Sequence, residues 1–273
     1  MSKPTVLVLG ASGITGRRIA AHLAERAIVR AVGRTTAIPF DWNVPETHGP
    51  ALAGADAIYL LPPPFVAEPS AHVARLLAAA QRAGVRRVVA VTSLAVTFPT
   101  EPASSGRIAL ERAITSSGLE WTLLRPGGFA QNFSEGFLRP GVDRGLVVSA
   151  TGTGQTAMID ADDIARVAAI ALLDPGHAGA AYALTGPEPL TFAAATEVVA
   201  RAAHRPIEYR GITDAELAGL LAGFGLPPDY AAIVVRDQRA IREGAGAIVS
   251  GDVERVTGRA AASFAEAAAR MAW

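Results

Sequence analysis

The sequence contains no cysteine. Disulfides, thiolate nucleophiles and cysteine-ligated metals are excluded together by that one absence. Lysine occurs once, at Lys3, and neither sign of charge is in excess, with 25 Lys plus Arg against 25 Asp plus Glu. A neutral chain has no net field to draw nucleic acid or an anionic membrane, so neither is expected as a partner. Long apolar runs are also missing. Those present are strand-sized or broken by charge, well short of the roughly 20 residues that a membrane span needs. No basic segment followed by an apolar stretch and a small-residue cleavage site opens the chain. The five histidines show no HExxH or other ligand spacing, so no metal is expected. A soluble, cytoplasmic protein is expected, monomeric or homodimeric, with a small-molecule partner.

Half of the 273 residues are apolar, enough for one large core or a core with a smaller lobe. Residues 5–10, 27–33, 54–61, 87–92 and 119–124 are short branched runs that read as strands. Between them, 13–24, 67–83 and 108–117 carry helical patterns. Val-, Ile- and Leu-rich strands joined by crossover helices predict an α/β fold, a Rossmann-like doubly wound parallel sheet covered on both faces. Beyond about Phe129 the alternation loosens. Helices are expected over 163–173, 191–203, 214–224, 229–243 and 263–271, with short strands at 181–184 and 207–210. This predicts residues 1–150 as a nucleotide-binding core. Residues 151–273 are expected to be a smaller, mostly helical substrate-binding portion that contributes one or two strands to the core and caps the sheet's C-terminal edge.

Gly10-Ala-Ser-Gly13-Ile-Thr-Gly16 stands between the first strand and the first helix. That is the context in which a glycine pattern can hold a dinucleotide. Gly10 permits the tight turn, Gly13 lets a pyrophosphate approach the backbone, and Gly16 allows close helix–strand packing. The unbonded amides of the helix N-terminus then face the anion. The second strand ends Arg30-Ala-Val-Gly-Arg34 with no acid to meet a ribose 2′-hydroxyl. Arg34 instead suits a 2′-phosphate, so NADPH is expected in preference to NADH. Arg17 and Arg18 are supplementary candidates. A Tyr-x-x-x-Lys pair for proton delivery is absent, because none of Tyr59, Tyr182, Tyr209 and Tyr230 has lysine four residues on. Hydride transfer would then depend on holding a nicotinamide against an already electrophilic carbon. No catalytic residue is assigned.

Four segments carry a resemblance: GASGITGRR (10–18), AIYLLPPP (57–64), SGLEWTLLRPGGFAQNF (117–133) and MIDADDIARVAAIAL (158–172). Together they resemble the atypical short-chain dehydrogenases that include NmrA-like proteins and NAD(P)H:quinone reductases. FDW (40–42) and the stretches at 182–213, 223–231 and 253–269 are similar to the ergot-alkaloid branch, the festuclavine and agroclavine dehydrogenases. The resemblance implies an oxidoreductase that passes hydride from NADPH to an iminium, imine or quinone, with an aromatic or heterocyclic substrate. The alternative it leaves open is a non-catalytic, NmrA-like NADP(H)-binding redox sensor.

Carried over by position, the resemblance places Gly10, Ser12, Gly13, Ile14 and Thr15 along the pyrophosphate and Arg34 at the adenosine phosphate. Asp41 and Trp42 would edge the adenine, and Leu61, Pro62 and Pro63 would cover the adenosine side. Thr92, Ser93, Pro126, Gly127, Gly128 and Phe129 would lie near the nicotinamide. Glu111 matches a family glutamate, yet its spacing from Arg107 also fits an i,i+4 pair on an exposed helix face. Asn132 either orients substrate or satisfies backbone groups. Phe129, Phe133 and Phe137, four apart, either floor a flat pocket or form the packed face of a short helix. Tyr59 and Trp121 read as core.

Overall fold

A computed structural model describes residues 3–273. The first half alternates strand and helix: β1 (Thr5–Leu9), α1 (Ile14–Leu23), β2 (Ile28–Val32), α2 (His48–Leu52), β3 (Ala57–Leu60), α3 (Ser70–Arg82), β4 (Arg87–Val91), α4 (Gly106–Thr115) and β5 (Glu120–Pro126). The second half runs α5 (Arg139–Asp143), β6 (Leu146–Ser149), β7 (Gln155–Thr156), α6 (Ala161–Leu173), β8 (Ala180–Leu184), β9 (Leu190–Thr191), α7 (Phe192–Ala202) and β10 (Glu208–Gly211). It closes with α8 (Asp214–Gly223), α9 (Pro228–Arg242), α10 (Asp252–Thr257) and α11 (Phe264–Ala269).

Six strands form one parallel sheet in the order β2-β1-β3-β4-β5-β8. Successive residues point to opposite faces, and both faces are buried. Val6 and Val8 of β1 pack with Ile19 and Leu23 of α1 and Ile164 and Ala168 of α6. Leu7 and Leu9 face the other way, toward Leu76 and Leu77 of α3 and Leu110 and Ile114 of α4. That two-sided burial is why β1 and β3 read as unbroken apolar runs rather than alternating ones. The chain leaves β1 for β2 on one side and returns as β3 on the other. The strand order therefore reverses at β1, and a crevice opens beyond its carboxyl end.

The remaining strands pair away from this sheet, β6 with β10 in parallel and β7 with β9 antiparallel. They frame a second core in which Phe133, Val142 and Val147 meet Phe192, Val199 and Phe264. The two lobes are interleaved in sequence. Residues 130–149 help build the smaller lobe, while α6 and β8 return to the large sheet. Among the described residues no helix is long and apolar enough to cross a membrane.

Helix α6 starts where Asp160 caps it, its carboxylate accepting from the Asp162 N–H at 2.9 Å. Burial disfavours the charged Asp160 carboxyl, but the Asp162 amide, Arg270 and Gln131 outweigh it and hold its pKa below the ordinary value. A lowered folded pKa gives stability that is complete above the unfolded pKa and lost as pH falls through the folded one. Asp160→Ala is expected to cost about 1–2 kcal/mol, or about 2–8 °C in Tm near neutral pH. In thermal melts the difference from the parent should shrink once pH falls below about 3.9.

Candidate active site

The glycine turn is shaped by steric need. Gly10 has φ +65°, in the left-handed region, and a Cβ there would also lie 2.7 Å from Leu61 Cδ2. A Cβ on Gly16 would stand 2.2 Å from the Gly10 carbonyl oxygen, so the first turn of α1 packs directly on the turn's backbone. Gly13 is the N-cap of α1 and has no side chain to accept from the first-turn amides. Those amides therefore point, uncapped, into the crevice beyond β1, which is the donor set an anionic pyrophosphate requires. Residues Ser12, Ile14 and Thr15 lie along the same turn. The Thr15 side chain is committed elsewhere, since its oxygen accepts from the buried Tyr59 hydroxyl at 2.7 Å. Burial raises the Tyr59 pKa, so this phenol stays a neutral donor that fastens α1 to β3.

The other residues expected at the cofactor fall at the carboxyl ends of neighbouring strands. Arg34 follows β2, is exposed, and makes no hydrogen bond or ion pair among the described residues. Arg17 and Arg18 both pair with Glu135, which leaves Arg34 as the uncommitted guanidinium near the turn. Asp41 closes a small turn by accepting from the Asn43 N–H at 2.8 Å. Trp42 sits edge-on to Phe40, with ring centroids 5.2 Å apart, and Phe40 stacks on His48. Leu61, Pro62 and Pro63 continue β3 beside Gly10, with Pro63 buried. Phe65, in the same loop, has φ +60° and meets the Tyr230 ring of α9 edge-on at 5.6 Å.

Beyond β4 and β5 lies a cleft floored by Ser93, Leu94 and Pro126, Gly127, Gly128 and Phe129. Its far wall is the cap, through Phe192 and the α9 residues Val234, Asp237, Gln238 and Ile241. Phe133 and Phe137 reach it without sharing a regular helix with Phe129. Phe133 is fully buried against Phe192 and Phe264, whereas Phe137 is exposed. Asn132 lines the cleft with its side-chain amide unpaired among the described residues. Ser93 also caps the short turn after β4, accepting from the Ala95 N–H at 3.2 Å.

Two polar networks brace the cleft, and the first overturns a sequence expectation. Glu111 does not pair with Arg107 on an exposed face. It is buried and accepts two bonds from Arg125 of β5, at 2.9 and 2.6 Å, and one from the Thr92 hydroxyl at 2.8 Å. The reason is the direction of α4, which turns Glu111 toward the sheet. Arg107 instead donates to Asp237 at 2.6 Å and lies 3.5 Å from Glu101, which also accepts from Arg236 at 2.8 Å.

Asp237 was not read from the sequence. The signal for it is that Val234, Asp237, Gln238 and Ile241 share one helical face by their spacing, so an acid and an amide stand between two apolar residues on that face. It is the only titratable side chain lining the cleft among the described residues. Burial pushes its pKa up despite the opposing pull of Arg107 and Arg236.

The NAD(P)H-binding family model matches residues 10–175. YesF of Bacillus subtilis, an uncharacterized oxidoreductase, is 36% identical, with 100% of this chain and 96% of that protein covered. An NAD(P)H azoreductase of Xenophilus azovorans is 33% identical, with 96% of each covered. Agroclavine dehydrogenase of Claviceps fusiformis is 30% identical over 96% of this chain and 95% of its own. The ergot-alkaloid branch is thus a more distant relation than either, and the nearness suggested by the C-terminal segments is corrected. The Escherichia coli NADPH-dependent quinone oxidoreductase QOR2, solved with NADPH, superposes with a TM-score of 0.80 at 22% identity, covering 97% of this chain and 98% of that one. At that identity the likeness is one of fold.

Proposed function

Because the chain belongs to the NAD(P)H-binding family, we propose that it is an NmrA-like reductase that uses NADPH to reduce an electrophilic small molecule such as an imine or iminium, a quinone or an azo dye. The observation that carries this reading is adjacency. An uncapped helix N-terminus suited to a pyrophosphate and a largely apolar, phenylalanine-lined cleft open at the carboxyl ends of neighbouring strands of one sheet.

The first-turn amides of α1 would hold the pyrophosphate, with Arg34 at the 2′-phosphate and Leu61 and Pro62 against the adenosine. The backbone from Pro126 to Phe129 and the Ser93 side chain would border the nicotinamide, which supplies hydride when bound. Phe129, Phe133 and Phe137 would exclude water and align a flat substrate, which lowers the barrier by orientation alone. An iminium becomes neutral as hydride arrives, so its reduction calls for no oxyanion donor.

The test is a panel of a cyclic imine, 1,4-benzoquinone and an azo dye, followed by loss of the reduced-nicotinamide absorbance. Turnover of at least one supports the reading. Tight NADPH binding with none turned over moves the conclusion to the redox sensor.

The preference for NADPH rests on Arg34. A charge-assisted contact is worth about 1.5–3 kcal/mol, roughly ten- to a hundredfold in affinity. Calorimetry on Arg34→Ala should show that loss for NADPH and little change for NADH. Equal losses for both would assign Arg34 to the fold.

A further inference from the structure

We propose that Asp237 is the proton donor for those substrates whose reduction leaves a negative charge on nitrogen or oxygen, and that Arg107 positions it. The proposal rests on the reductase reading above and names the acid that the missing tyrosine–lysine pair leaves unassigned.

The argument begins with what lines the cleft. Ser93, Asn132, Thr156, Asp237 and Gln238 are its polar side chains. Gln238 is spent, its Oε1 accepting from the buried Ala150 N–H at 2.6 Å. Hydroxyls and amides of ordinary pKa hold their protons too tightly to give them up near neutral pH. Asp237 remains. Its Oδ1 accepts from Arg107 at 2.6 Å, while Oδ2 has no partner among the described residues. One oxygen is thus anchored and the other is free, on a residue that lines the cleft.

The anchor is itself held. Arg107 is nearly buried, and behind it Glu101 is almost wholly so, tied to Arg236 at 2.8 Å. The Arg107 Nη1 is buried without a hydrogen-bond partner. The charged and titratable groups facing Asp237 are Arg107 from α4, Glu101 from the loop before it, and Arg236 and Tyr230 from α9 itself. Burial, the largest influence, and Glu101 raise its pKa; Arg107 and Arg236 oppose them, and the net result is a pKa above the ordinary carboxylate value. Such a tuned carboxyl is the kind of group that serves as a general acid.

For an azo substrate the step balances as follows. Hydride from the reduced nicotinamide forms an N–H bond at one nitrogen and breaks the N=N π bond. The displaced electron pair on the second nitrogen takes the proton from Asp237 Oδ2. The azo group is reduced to a hydrazine, the nicotinamide is left oxidised, and solvent returns a proton to the carboxylate. A cationic triphenylmethane dye differs in chemistry, since hydride on its central carbon neutralises it and no proton is needed.

That difference supplies the test. Wild type, Asp237→Asn and Asp237→Glu are compared on an azo dye, on 1,4-benzoquinone and on malachite green, with NADPH affinity and Tm measured alongside. Asp237→Asn should lose about 10²–10⁴-fold in kcat on the azo dye and quinone, and distinctly less on malachite green, with NADPH affinity little changed. Wild-type azo turnover should fall as pH rises through the Asp237 pKa. That limb should vanish in Asp237→Asn and return in Asp237→Glu. Independently of turnover, 13C NMR titration of the protein without nucleotide should show the Asp237 carboxyl above the ordinary carboxylate value. Equal losses on all three substrates, no loss on any, or an Asp237 that titrates at or below that value would overturn the proposal alone. A wild type that binds NADPH yet turns over none of the three would overturn the reductase reading, and this one with it.

Discussion

Gly13→Val is expected to abolish NADPH binding in a protein that still folds, while Gly16→Ala is expected to damage the fold itself. The two glycines stand three residues apart and fail for different reasons. At Gly13 an added Cβ meets only the Gly10 carbonyl, at 3.2 Å, a contact that small adjustments relieve. The larger valine side chain instead fills the space in front of the first-turn amides, where the pyrophosphate must come to backbone contact. Losing two or more charge-assisted bonds there removes over about 3 kcal/mol, more than a hundredfold in affinity. At Gly16 the same Cβ would lie 2.2 Å from the Gly10 oxygen and 2.9 Å from the Ala11 Cα. These are backbone atoms, so α1 must move off the turn. Overpacking of that kind costs about 1–3 kcal/mol and takes the Tyr59–Thr15 bond with it. Calorimetry and thermal melts on the two variants separate the effects. Undiminished NADPH affinity in Gly13→Val would reject the placement of the dinucleotide.

Arg125→Ala should be the most destabilising single change in the bracing of the cleft. It leaves the buried Glu111 carboxylate with only the Thr92 hydroxyl as partner. Breaking one side of a buried ion pair costs about 3–5 kcal/mol, because the remaining charge is left without compensation. Thr92 directly follows β4 and Arg125 lies one residue before Pro126, so the loss is felt at the floor of the cleft as well as in Tm. The double variant Glu111→Leu with Arg125→Met should regain much of the stability, since an apolar pair of similar size carries no desolvation cost. Urea unfolding of the two proteins checks both statements. A single variant within about 0.5 kcal/mol of wild type, the range of an ordinary surface substitution, would show that water replaces the guanidinium.

What was legible in the chain follows from range. The five strands of the first half and the glycine turn are set by interactions within a few residues, and the sequence patterns display them directly. The helix at 163–173 was likewise visible, and α6 spans Ala161–Leu173. Short elements were not. LVVS at 146–149 is too brief to carry a period, and it becomes a strand because β10, some sixty residues later, supplies its ladder. The i,i+4 spacing of Arg107 and Glu111 offered a local pairing that tertiary partners displaced.

The sequence by itself determined that a strand, a glycine turn and a helix would present uncapped amides to an anion, because backbone sterics and helix ends are local properties. It also determined that no tyrosine–lysine relay, thiolate or lysine base is available. Only the tertiary structure decided which carboxylate faces the cleft. Asp237 and Arg107 are 130 positions apart and meet at 2.6 Å because α9 folds back over the carboxyl ends of the strands. Charge pairing acts through space and a carboxyl's behaviour depends on its surroundings, so the helical spacing could place Asp237 on a face of α9 but could not show that the face meets Arg107 and the cleft.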